Sequence, residues 1–87
     1  MKLNCIVVDD EPVAREGILE QIRELDFLNP VGSAESALKA AKLLEKESVD
    51  LMFLDIMMPK LTGINFLKTL KNPPIVIFTT ANPDYAL

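Results

Sequence analysis

Leu3-Asn4-Cys5-Ile6-Val7-Val8-Asp9-Asp10-Glu11-Pro12 is an apolar run that breaks off in three acidic residues and a proline. A branched run without polar alternation is the pattern of a strand covered on both faces, and its abrupt acidic stop hands the chain to a loop. Pro12 suits the first turn of a helix. Beyond it Ala14, Ile18, Ile22 and Leu25 recur at spacings of four and three, with Arg15, Glu20, Arg23 and Glu24 between them, which predicts an amphipathic helix.

The same alternation continues outward. Residues 29–34 predict a short second strand at a sheet edge, because Val31 and Ala34 are its only apolar anchors besides Pro30 and Gly32. Ser36 caps a predicted second helix to about Glu47, with Ala37, Ala41 and Leu44 on one side and Lys39, Lys42 and Lys46 on the other. Residues 51–54 form a third buried strand ending in Asp55. Thr62 caps a third helix carrying Ile64, Phe66, Leu67 and Leu70, which Asn72, Pro73 and Pro74 bring to an end. Residues 75–78 make a fourth strand ending at Thr79 and Thr80, and Pro83-Asp84 is a start signal for a further helix. Strand and helix alternate three times, so the strands pair in parallel through right-handed crossovers. The fold class is α/β, a doubly wound parallel sheet.

Composition narrows the function classes. The chain has 87 residues, 49% apolar and 25% charged, an ordinary globular balance without the bias of disorder or fibrous repeats. That length is short for a complete doubly wound domain. Apolar stretches are strand-sized and no secretory leader precedes the first strand, so neither a membrane span nor export is expected and the location follows as cytoplasmic. Cys5 is the only cysteine, a small buried hydrophobe that has no partner for an internal disulfide. Thirteen acidic against nine basic residues give a charge of -4, and no Lys or Arg cluster offers a groove to nucleic acid.

The chemistry lies at the strand ends: Asp9 and Asp10 after the first, Asp55 after the third, Thr79 and Thr80 after the fourth. Open parallel sheets bind ligands beyond the carboxyl ends of their strands, where strand order reverses. Carboxylates gathered there repel one another unless a hard divalent cation neutralises them, and Mg2+ is the natural candidate. It would bridge Asp10 and Asp55 to an incoming phosphoryl group, and a strand-end aspartate is then a usable nucleophile. Each residue alone has a plainer reading: Asp9, Asp10 and Glu11 as favourable charges at a helix start, Asp55 as a turn residue, Thr79 and Thr80 as strand formers, Met52, Met57 and Met58 as core fillers and loop cover. Their joint occurrence in this order is what favours a site.

Val8-Asp9-Asp10-Glu11-Pro12, Leu54-Asp55-Ile56-Met57-Met58-Pro59 with Gly63, and Thr80-Ala81 together resemble the receiver domains of two-component response regulators, over the whole chain. The resemblance implies a flavodoxin-like sheet of order 2-1-3-4-5. It implies Asp55 as the phospho-acceptor, Asp9 and Asp10 as a metal-binding acidic pair with Asp55, the Met57 backbone carbonyl as a further metal ligand, and Thr80 as the hydroxyl that senses the phosphoryl group. A sensor histidine kinase is the implied phosphoryl donor, and DNA is reached only through an output domain. Residues 78–87 are similar to the receivers that precede LytTR-type DNA-binding domains. The family continues with a fourth helix, a fifth strand, a fifth helix and a lysine that contacts the phosphoryl group, so residues 1–87 are expected to be an incomplete receiver of strand order 2-1-3-4. Its fourth strand is then an exposed edge open to self-association.

Two other classes compete. Aspartyl-phosphate hydrolases of the haloacid dehalogenase type also place a nucleophilic Asp after a parallel strand, but want a second Asp two residues on, where this chain has Met57. A degenerate or truncated receiver that only pairs with partners is the alternative among binding modules, and intact Asp9, Asp10 and Asp55 argue against degeneracy.

Overall fold

The computed structural model describes residues 2–79. Four strands, β1 (Leu3–Val8), β2 (Leu28–Ala34), β3 (Leu51–Asp55) and β4 (Ile75–Thr79), alternate with helices α1 (Pro12–Arg23), α2 (Ala37–Lys46) and α3 (Gly63–Lys68). The sheet order is β2-β1-β3-β4, and every pair is parallel. This is the flavodoxin-like arrangement, with the order reversing between β1 and β3.

The pleat sorts β1 between two cores. Cys5 and Val7 pack with Leu19 and Ile22 of α1, Leu28 and Leu51 on one face of the sheet. Ile6 and Val8 pack on the other with Met52, Leu54, Ala40, Met58 and Phe66. A strand apolar at both parities is what a two-sided burial demands, and Cys5, Ile6, Val7 and Val8 are fully buried.

At the amino edge of the sheet Asn4 fastens three segments. Its amide donates to Asp50 Oδ2 at 2.8 Å, its side-chain amide donates to the Ser48 carbonyl at 3.0 Å, and its Oδ1 accepts from Asn29 Nδ2 at 3.0 Å.

The edge strand β2 begins at Leu28, one residue before the expected start, and Leu28 is buried. Its register with β1 slips between Cys5 and Ile6, so that Pro30 and Gly32 flank an unpaired Val31. Proline has no amide to donate, so the slip and the edge position suit it. A Cβ at Gly32 would lie 2.9 Å from the Leu43 side chain, so glycine here lets α2 settle closely on the edge.

Ser36 and Thr62 cap α2 and α3 as expected, accepting from the amides of Lys39 and Asn65 at 3.2 and 3.1 Å. Two helix ends differ from the periodic pattern. In α1 the amides of Glu24 and Leu25 donate to Gln21 and Ile22, three residues back, so the tightened last turn swings Leu25 off the buried face. Leu25 and Ala14 are exposed, and Leu19 takes the core position with Ile22. In α3 the Thr69 amide and hydroxyl both bond to the Phe66 carbonyl at 2.9 and 2.6 Å, ending the helix well before Pro73. No helix among the described residues is long and apolar enough to cross a membrane.

Candidate functional site

The carboxyl ends of β1 and β3 are neighbours, since Val8 pairs with Leu54. Asp9 and Asp10 on one strand end and Asp55 on the other therefore converge. Each offers one carboxylate oxygen to a group whose atoms all lie within 4.8 Å of one another. Asp9 and Asp55 are 6% and 9% exposed, and Asp10 is half-buried.

Backbone geometry aims these side chains. The Asp9 amide is tied to the Ala34 carbonyl at 3.0 Å, and Asp9 Oδ1 accepts the Glu11 amide at 2.9 Å, one of the unpartnered donors at the start of α1. Asp55 Oδ1 accepts the Met57 amide at 3.1 Å. The next residue, Ile56, donates to the Thr79 carbonyl and accepts from the Gly63 amide at 2.8 Å. Gly63 is required by proximity rather than by its backbone angles: a Cβ there would stand 2.2 Å from the Asp55 carbonyl oxygen. Lys60 between them has a φ of 70, a left-handed turn that brings the chain back over the strand end.

Burial pushes the Asp55 carboxyl up to about 6, reinforced by the Asp9 charge and by a hydrogen bond and repulsion from Asp10, while the Met57 amide pulls the other way. A set of hard oxygen donors whose negative charge is poorly compensated is the donor chemistry that a Mg2+-sized divalent cation fits.

Of the residues singled out in the sequence, Asp9, Asp10 and Asp55 meet at one point, with the Met57 amide beside them and its side chain 52% exposed. Thr80 lies outside the described residues. Met58 and Met52 are core, as their plainer reading had it. Sequence reasoning passed over Arg15, placed on the polar face of α1. Its Nη1 donates to the Asp9 carbonyl at 2.7 Å, and the available signal was its position in the helical turn directly after the acidic pair.

The model of the response regulator receiver domain family matches residues 5–87. An uncharacterized response regulatory protein of Vibrio parahaemolyticus is 39% identical over 87 residues, covering 98% of this chain and 36% of that protein. The transcriptional regulatory protein BtsR of Salmonella typhi is 33% identical over the same share of each. The chain thus spans little more than a third of the length of these relatives. Among solved structures, the response regulator domain of Thermotoga maritima CheB superposes with a TM-score of 0.87 at 28% identity, covering 99% of this chain and 66% of that one. The isolated REC domain of RcsB from Salmonella enterica serovar Typhimurium, determined with the phosphomimetic BeF3-, gives 0.85 at 28% identity over 95% and 64%. A parallel sheet of order 2-1-3-4, an acidic cluster at its reversal point and this family match agree: the chain belongs to the response regulator receiver domain family.

Proposed function

We propose that the chain is the phospho-accepting part of a two-component signalling protein, taking a phosphoryl group on Asp55 from a sensor histidine kinase. The observation that carries this is the convergence of Asp9, Asp10 and Asp55 within 4.8 Å at the reversal point of the sheet. In an in-line displacement an Asp55 oxygen forms the new bond to phosphorus, the bond from phosphorus to the donor's histidine nitrogen breaks, and that nitrogen keeps the electron pair and takes up a proton. Asp9, Asp10, Asp55 and the Met57 carbonyl would hold Mg2+, which when bound offsets the charge gathering on the transferring oxygens. Asp55 binds and attacks; the Met57 amide fixes which of its oxygens is engaged. Thr80 is assigned to sensing the phosphoryl oxygens on the strength of the Thr80-Ala81 motif.

The test is intact-mass and peptide mass spectrometry after incubation with acetyl phosphate and Mg2+. One added phosphoryl group is expected on Asp55, absent from Asp55→Asn and absent when Mg2+ is chelated. A label on Asp9 or Asp10 sinks the assignment.

We further propose that residues 1–87 are part of a longer receiver, since the solved receivers extend past the matched region, and that the parent protein controls transcription through a LytTR-type output domain. Support for the output lies in a relative called a transcriptional regulatory protein and in residues 78–87. For the 87-residue chain by itself we propose self-association through β4, whose Ile75, Ile77 and Phe78 are exposed.

A further inference from the structure

We propose that Arg15 is a positioning residue for the metal-binding acidic pair, holding the turn that carries Asp9 and Asp10 in the one shape that aims both carboxylates at Asp55. The proposal rests on the phospho-acceptor reading for its chemistry, but its geometry stands apart from it. Arg15 is rooted in the first turn of α1, where its amide donates to the Glu11 carbonyl at 2.9 Å. From there its side chain reaches back toward the strand end, and Nη1 meets the Asp9 carbonyl at 2.7 Å. That bond is short and charge-assisted.

Asp9 is thereby held on three sides: its amide by Ala34, its carbonyl by Arg15, and its carboxylate by the Glu11 amide. Of the three partners only Arg15 contributes a side chain, so its bond is the one that substitution outside Asp9 can remove. The guanidinium also lines a small open cleft with Ser33, Ala34, Glu35 and Lys39, where Glu35 and Lys39 pair with each other. Arg15 thus lies between the turn that carries Asp9 and the β2–α2 turn. Losing a group that orients a ligand residue without touching the metal typically costs about 10- to 100-fold in affinity.

Two effects of removing Arg15 have opposite signs, which makes the role measurable. Loss of a positive charge bonded to the Asp9 carbonyl by itself tightens cation binding nearby. Loss of a clamp that orients Asp9 and Asp10 weakens it. Calorimetric titration of Mg2+ into the 87-residue chain, Arg15→Ala and Arg15→Lys separates them. Arg15→Ala is expected to bind on the order of tenfold more weakly, with Arg15→Lys, which keeps the charge and a donor, recovering part of the loss. Equal or tighter binding by Arg15→Ala overturns the proposal.

A second readout needs no metal. By NMR hydrogen exchange in chelator, the Glu11 amide is expected to exchange roughly tenfold faster in Arg15→Ala, while core amides of β1 and β3 keep their protection. Unchanged Glu11 exchange overturns the clamp. If the unaltered chain shows no Mg2+ binding that Asp55→Asn diminishes, the phospho-acceptor reading fails instead, and the exchange result alone decides the role of Arg15.

Discussion

Asp55 is held where its charge is least welcome, at 9% exposure and beside two other carboxylates. Its carboxyl is raised from 3.8 to about 6, chiefly by burial, so the folded chain keeps this proton more tightly than the unfolded one. The stability this proton brings is full below about pH 4 and is lost as the pH rises through about 6. In chelator, Asp55→Asn is therefore expected to be more stable than the unaltered chain by roughly 2 to 3 kcal/mol at pH 7. The gain should fade as the pH is lowered toward 4, which urea titrations across that range would show. Gly63 works on the same residue from outside. Gly63→Ala places a methyl against the Asp55 carbonyl, and the backbone must yield at a cost of about 2 kcal/mol or more. Slower labelling of Asp55 by acetyl phosphate should accompany the lower urea midpoint, and an unshifted midpoint would mean that the loop moves aside freely.

At the scale of elements, most of the architecture could be read from the chain because buried parallel strands and capped helices leave strong local marks. The runs at residues 3–8 and 51–54, the caps Ser36 and Thr62, and the acidic strand ends all depend on neighbours in sequence. What escaped depends on geometry instead. Leu25 satisfies the period of α1 yet is exposed, because amides bonding three residues back rotate the final turn. The early end of α3 lies in Thr69 bonding twice to Phe66, a competition between side chain and backbone that periodicity cannot reveal. Arg15 looked like a solvent-facing charge because nothing in helical spacing tells which side chain folds back over its own N-terminus. The caps can be tested singly. Ser36 satisfies the Lys39 amide, so Ser36→Ala should cost about 1 kcal/mol in thermal or urea unfolding. Ser36→Asp should recover most of it.

The whole molecule presents two unlike sheet margins. One is β2, marked by Pro30 and a register slip that discourage strand addition. The other among the described strands is β4, where Ile75 is 67% exposed and Ile77 46%. Light scattering during size-exclusion chromatography is expected to show a concentration-dependent dimer of the 87-residue chain, reduced by Ile77→Lys. A monomer at every dilution would remove β4 from consideration as a self-pairing edge. The Asn4 fastening at the amino edge has a different sort of consequence, in time rather than in space. Its bonds to Ser48 and Asp50 span 44 and 46 residues and join segments separated by α1, β2 and α2. Chain search over that span is slow compared with forming either helix. Asn4 is thus expected to act as a latch on an already assembled sheet. Asn4→Ala, which keeps the amide bond to Asp50 but loses the side-chain bonds to Ser48 and Asn29, should shorten the lifetime of the native state by several-fold, for a loss of about 1 kcal/mol, while leaving the rate of reaching that state nearly unchanged.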